Sequence, residues 1–400
     1  MFTIVAGVGF FLAFFLGQFG RWQFGGGVSV TLLDIVVGGF VFGSLIFLLS
    51  KGRFWEVVLT RPAKPLVFFF FACLVSLLVN MSWLRPDELS VSVLYLIRFF
   101  VYSSLLLVIP FFSKKTQLRL LYAIASAVLF AVGIGFIQFF YYPNLHNLFY
   151  LGWDDHLYRL FSVYLDPNFA SVIFACLFFY LLWQLMRMKI GLRRIVLGVF
   201  GLLTVIAVFL TYSRTGMLTL AVGTVVYLVM SGYKKFLFAC LGLFLFLLLI
   251  TSDVKIEGLN PFRTATASAR FDSMKIGLAI FQKNPVFGVG FNAYRYAQHR
   301  YGFRPGGAWE TSHADSGTDN SFLFVLATTG VVGLLAYLYF WYSLIIDILR
   351  RRGKSDSFSS VVLATFAGVF VSSFFLNTLF YPFILIWLML LYSIRESTSP

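Results

Sequence analysis

Runs of eighteen or more mostly apolar residues recur from one end of the chain to the other, and no other feature limits its fold so strongly. Each run is long enough to cross a hydrocarbon core of roughly 30 Å as an α-helix. No water satisfies the backbone there, so such segments must be helices or strands of a closed barrel. Barrel strands alternate polar with apolar residues, and these runs do not. Composition agrees, with 60% of residues hydrophobic, 12% charged, and 51 Phe among 400 positions. The sequence therefore predicts an all-α polytopic integral membrane protein.

Twelve spans are expected, at residues 2–19, 31–50, 66–84, 91–112, 117–142, 167–186, 195–212, 215–230, 236–251, 320–347, 358–376 and 378–393. One helix over 195–230 would be about 54 Å long at ~1.5 Å per residue, so it must be two helices turning near Ser213. Four regions follow: 1–142 with spans one to five; 143–251 with spans six to nine, the first outer loop and the "SRTG" turn; 252–319, a large extracytoplasmic loop with an amphipathic helix; and 320–400 with the last three spans.

The net charge of +15 is distributed unevenly. Assigning the loops alternately to two sides gives one side Lys51, Arg53, Arg61, Lys64, Lys114, Lys115, Arg119, Arg187, Lys189, Arg193, Arg194, Lys234, Lys235, Arg350, Arg351, Arg352, Lys354 and Arg395. The short loops opposite hold only Arg21, Arg85, Arg159 and Arg214. The positive-inside rule then puts both termini in the cytoplasm, and loops as long as 252–319 are largely exempt from it. Basic charge used for topology does not call for nucleic acid as a partner. No cleavable signal peptide is expected, because the first span lacks a basic leader and runs into "GQFGRWQFGGG". Cys73, Cys176 and Cys240 all fall within spans and read as apolar filler, with no disulfide framework.

Polar chemistry collects on the outer side. All four histidines, His146, His156, His299 and His313, lie there, with Asp154, Asp155, Asp166, Asp253, Glu257, Asp272, Glu310, Asp315 and Asp319. "LTYSRTGMLTL", Leu210 to Leu220, sets Arg214 among apolar residues at the turn between spans seven and eight. A charge at bilayer depth costs at least ~2.5–3.5 kcal/mol, and the cost falls if the arginine sits near the interface facing a polar cavity. Snorkelling into headgroups is the plainer account.

In "YRLFSVYLDPNFAS", Asp166-Pro167-Asn168 reads as a capped helix start, with Arg159 just upstream. In "SARFDSMKIGLAIFQKNPVFGVGFNAY", Ser268 can cap a helix whose stripe is Phe271, Met274, Leu278 and Phe281, with Arg270 at the border. This helix is expected to rest on the outer membrane-proximal surface. "NPVFGVG" then breaks it, and Gly288 and Gly290 permit positive φ and close backbone approach. No βαβ unit surrounds them, so they form no dinucleotide fingerprint. In "HADSGTDNSFLFVLATTGVVGLLAYL", Asp319-Asn320 marks a helix start, and Gly330 with Gly333 suits close helix packing. Arg98, inside span four, either pairs with Asp34 at similar depth or reaches the same cavity as Arg214.

In chain order, Arg159 with "DPN", "SRTG" around Arg214, Arg270 followed by "NPVFGVG", and "DNSFL" with "TGVVGLL" resemble the O-antigen ligase and O-antigen polymerase superfamily of bacterial membrane glycosyltransferases. The resemblance covers roughly residues 155–340. It implies a GT-C-like bundle of about twelve helices in the bacterial inner membrane, working at its outer, periplasmic face. It implies an undecaprenyl-diphosphate-linked glycan donor, and a glycan or lipid A-core acceptor. Membrane lipids are further partners, as is a chain-length regulator if the product is a polymer. By position, Arg214 and Arg270 would hold the diphosphate, with Arg159 and Arg98 as further candidates. Asn168, Asn320, Gly288 and Gly290 would line the substrate loops. A ligase has a histidine directly before the Asn of the last motif. This chain has Asp319 there, with His313 six residues earlier, which is more at home in polymerase-type members.

The chemistry is consistent with the residues. A lipid diphosphate leaves well if its growing charge is stabilised, and guanidinium groups fork two donors onto phosphate oxygens without deprotonating. No acidic pair or histidine set shows metal-ligand spacing, so no metal and no cofactor are expected. The acceptor hydroxyl needs a base, and Asp319 or His313 can serve.

Overall fold

A computed structural model describes residues 2–24, 28–151, 153–233, 264–303, 316–352 and 357–394. Helix α1 (Phe2–Leu16) runs through a 3₁₀ turn into a hairpin of β1 (Arg21–Phe24) and β2 (Val28–Thr31), paired antiparallel from Arg21↔Thr31 to Phe24↔Val28. The hairpin departs from the all-α expectation. Its alternation over two four-residue strands is too short to stand out from the spans on either side. Thr31 then caps α2 (Leu32–Ser50), its hydroxyl accepting from the Asp34 backbone N–H while the Asp34 carboxylate accepts from the Thr31 N–H.

The bundle continues with α3 (Phe54–Val58), α4 (Ala63–Asn80), α5 (Pro86–Ser103), α6 (Leu105–Val108), α7 (Lys114–Tyr141), α8 (Pro167–Arg187), α9 (Leu192–Leu210) and α10 (Arg214–Met230). After the outer helices α11 (Thr264–Lys283) and α12 (Tyr294–Arg300) come α13 (Ser321–Arg351), α14 (Ser357–Ser372) and α15 (Pro382–Ser393). Among the described residues, eight helices are long and apolar enough to cross a membrane, and α10, α14 and α15 are shorter apolar helices. The span expected at 236–251 lies outside the described residues.

Packing separates lipid-facing from protein-facing helices. On α9, Ile195 is 62% and Leu202 61% exposed, an outward apolar wall of the kind that marks a membrane-facing surface. On α15, every residue from Phe383 to Ser393 is buried. A helix apolar on all sides belongs inside, and at about 18 Å its 12 residues are too short to span alone. α15 is the centre of the bundle, walled by α5, α6, α7, α8 and α14.

Contacts between helix ends reproduce the alternation of loops. At one end Arg61 meets Asp347 at 3.2 Å, Tyr392 donates to Asp347 at 2.6 Å, Arg352 reaches the Met230 carbonyl, and the Trp183 indole donates to Ser357 at 3.3 Å. The loops rich in Lys and Arg share that end. α9 and α10 turn at the other end, where Tyr212 has φ +50° and Ser213 caps α10 by accepting from the Gly216 N–H. The division of 195–230 near Ser213 is therefore observed.

α13 is broken at Gly330, where φ is 66° and ψ −166°. The expectation was close helix packing at Gly330 and Gly333; instead the "NPVFGVG" segment fills the break. Val331 N–H donates to Pro285 O at 2.9 Å, Val289 N–H to Ala327 O at 3.2 Å, and Gly290 N–H to Thr328 O at 2.9 Å. From α4, the Ser76 hydroxyl reaches the Phe287 and Thr328 carbonyls, and the Asn80 amide donates to Gly288 O at 3.0 Å. Non-helical backbone is tolerated at membrane depth where protein satisfies it. A Cβ on Gly288 would lie 2.3 Å from the Thr328 carbonyl carbon, and one on Gly330 2.2 Å from Val286 O. Gly288 and Gly290 thus seat this segment in α13.

Candidate functional site at the outer ends of the helices

The site is built around the start of α8. Asp166 accepts from the N–H groups of Asn168 (2.7 Å) and Phe169 (3.4 Å), with Pro167 at the first helical position, as its sequence predicts. Arg159 ties this start to the α9–α10 turn, its Nε donating to Thr211 O at 2.9 Å and its Nη2 to Asn168 Oδ1 at 3.1 Å. In the first turn of α10, a Cβ on Gly216 would overlap Ser171, so α10 begins directly against α8. Arg214, two residues before Gly216, starts α10 at this corner and is exposed.

α11 brings the second arginine. It docks on the start of α13 through Gly277, whose missing Cβ admits Leu323 and Thr318, and through Ser273, whose hydroxyl accepts from the Asp319 N–H at 3.3 Å. The stripe expected to be apolar faces away from the protein, with Phe271 58% and Leu278 44% exposed. Ser268 is not the cap, because the helix already begins at Thr264 and no breaker separates the two.

Arg270, Asp319 and Asp166 lie within electrostatic range of one another. Burial raises the Asp319 carboxyl above its usual range; Arg270 opposes the shift and Asp166 adds to it. Burial also lowers the Arg270 guanidinium, and both carboxylates hold it up. Asn320 caps α13, accepting from the Phe322 and Leu323 N–H groups at 2.9 Å. His313 lies outside the described residues. His156 was not singled out from the sequence, yet it belongs to this corner. Burial lowers its pKa, with Asp166 raising it and Arg159 lowering it. Only the clustering of acids in its loop could have pointed to it.

Arg98 stands elsewhere. Its Nε and Nη2 lie 2.7 and 2.9 Å from the Asp34 carboxylate, to which the Tyr102 hydroxyl also donates. The same arginine lines a cavity of about 640 Å³ between the β-hairpin, α5, α12 and the segment before α15. Arg214, Arg270 and Arg159 are not among its lining residues. So Arg98 both pairs with Asp34 and reaches a cavity, but a cavity different from the expected one. The two places adjoin, because Ser316 and Tyr381 line the cavity, and Tyr381 stacks on Phe169 with ring centroids 4.0 Å apart. Among the described residues, no three His, Cys, Asp or Glu side chains gather where they could hold a metal ion.

Fold and site define a multi-pass helical membrane protein with arginines and carboxylates assembled at one end of its bundle. Residues 199–338 match the family model described as O-Antigen ligase. That segment carries the Ser213 turn, Arg214, Arg270 and Asp319-Asn320, and over it the chain is similar to the O-antigen ligase family. No curated protein matches the chain.

Proposed function

We propose that this protein is a membrane glycosyltransferase that takes glycan from an undecaprenyl-diphosphate-linked donor and joins it to an acceptor sugar at the outer face of the bacterial cytoplasmic membrane. In this reading it polymerises repeat units of O-antigen or exopolysaccharide. The observation that carries it is that Arg270 and Asp319, both in the segment matched by the family, lie within electrostatic range of each other and of Asp166 at the start of α8.

Arg270 and Arg214 fork onto the diphosphate oxygens, and Arg159 holds Asn168 and the α9–α10 turn in place around them. Asp319, with a raised carboxyl pKa, accepts the proton of the acceptor hydroxyl. That oxygen bonds to the anomeric carbon as the bond to phosphate breaks, and the lipid diphosphate leaves with the electron pair. Displacement in one step inverts the linkage. His156, which burial keeps neutral, is the described alternative base, beside His313 from the sequence.

Transfer to lipid A-core is the second reading, favoured by the description of the matching family. The glycan phenotype of a deletion separates them. Single repeats on lipid A mean a missing polymerase, and accumulated carrier-linked polymer means a missing ligase. The break in α13 resembles the discontinuous helices of transporters, so the purified protein is also assayed in liposomes. Translocation of lipid-linked glycan without new glycosidic bonds would overturn the enzyme reading.

A further inference from the structure

The chain between α7 and α8 has an unusual backbone. Among the described residues, six other than glycine have positive φ, and His156, Tyr158, Ser162 and Leu165 in this stretch are four of them. A fifth, Tyr212, lies in the α9–α10 turn, against which the stretch packs with the Leu160 N–H donating to Leu210 O at 3.0 Å. Left-handed backbone is costly for residues with a Cβ, and it persists only where the surroundings over-determine it. Every residue from Leu160 to Leu165 is buried, so those surroundings are protein.

One side chain holds the middle of this strap. Gln138 is buried in the last turn of α7, and its Nε2 donates to Tyr142 O at 2.8 Å and to Arg159 O at 3.2 Å. Its Oε1 accepts from the Phe161 N–H at 2.9 Å and the Ser162 N–H at 3.2 Å. An amide has two donor hydrogens and two acceptor lone pairs, so its whole capacity is used here. Ser162 returns a bond to the same helix, its hydroxyl donating to Ala131 O at 2.5 Å. A Cβ on Gly135, three residues before Gln138, would lie 2.7 Å from Leu160 Cδ2, so α7 makes room for the strap. What the strap carries belongs to the site. Arg159 bonds Thr211 O and Asn168 Oδ1, and the strap ends at Asp166, the cap of α8.

We propose that Gln138 is a positioning residue for transfer, its amide locking residues 156–165 in the turns that set Arg159 and Asp166 at the site. The catalytic half of this rests on the glycosyltransferase reading; the clamp rests on the hydrogen bonds alone. Hydrogen exchange of the full chain in detergent, read by mass spectrometry over peptides covering 156–166, measures the clamp without transfer. Gln138→Leu is expected to speed exchange there about tenfold or more. Transfer is measured with lipid-linked glycan extracted from cells lacking the protein. For Gln138→Leu, kcat should fall about 10–100-fold while KM stays within about threefold, because misplaced supports are felt in the reaction step. Gln117→Leu is the control. Gln117 is likewise buried in α7, toward its opposite end, and donates to Ile109 O and Phe112 O. Its replacement should lower thermal stability and leave both kcat and exchange over 156–166 unchanged. Gln138→Glu keeps the oxygen that accepts from Phe161 and Ser162, and is expected to fall between Gln138→Leu and the parent. It carries the same test if Gln138→Leu does not fold. Unchanged exchange overturns the clamp. Faster exchange with kcat retained, or an equal loss of kcat in Gln117→Leu, overturns the positioning role. A parent that forms no glycosidic bonds defeats the enzyme reading, and the exchange arm still decides the clamp.

Discussion

Asp319 shows what burial does to a single carboxyl group. Its carboxyl pKa is raised mainly by burial, so the folded state favours the protonated form. The stability this confers is full below the unfolded value of about 3.9 and is lost as pH rises through the folded value. At neutral pH the charged carboxylate is a burden to the fold. Asp319→Asn is expected to be as thermally stable as the parent at pH 7, or more so, and to lose transfer by about 10²–10⁴-fold. A melting curve and a product assay check the two halves, and full activity would pass the base role to a histidine. With Asp319 as base, transfer in the parent should fall on acidification through a pKa above the ordinary carboxylate range, read from the pH–rate profile. For Arg214, Lys keeps the charge but not the fork, so Arg214→Lys should retain little polymerisation; near-normal product would remove its part in gripping diphosphate. These residues were legible because each sits at a helix start with a cap beside it. Arg21 and Arg295, which line the cavity beside Arg98, were not, since an arginine outside the spans looks alike whether it faces solvent or a cavity.

At the scale of elements, the α13 break ties the outer loop to the bundle. Gly330→Ala places a Cβ in the path of Val286 O at a positive φ, and a loss of at least about 2 kcal/mol is expected from strain and overpacking together. Ser76→Ala removes a hydroxyl that serves the Phe287 carbonyl and should cost about 1–3 kcal/mol. Both are read as shifts of the thermal midpoint in detergent; an unshifted Gly330→Ala would mean that the break is not held by this contact. The sequence marked Gly288, Gly290 and Gly330 as unusual. It could not pair them, because the partners are backbone atoms some forty residues apart, and backbone groups are the same in every residue.

Over the whole molecule, the described helix ends that carry Lys and Arg loops contact one another at one end of the bundle, through Arg61 with Asp347 and Arg352 with Met230. With the basic end inside, a membrane-impermeant maleimide applied to intact cells should label Tyr158→Cys and spare Lys51→Cys. The reverse pattern would invert the molecule and move the charged cluster to the wrong face for a lipid-linked donor. Treatment with EDTA should leave transfer unchanged; a loss restored by Mg²⁺ would require a metal in the mechanism.

The sequence alone determined that this chain is a multi-pass bundle of apolar helices and where the helices at 195–230 divide. Those properties follow from apolar length and local capping, which act along the chain. Tertiary structure alone decided that the last helix is the core, that Arg270 comes within electrostatic range of Asp319, and that Arg98 pairs with Asp34 beside a separate cavity. Such arrangements depend on which helix faces are apposed, and in a chain apolar on nearly every face, hydrophobic pattern does not specify the partner.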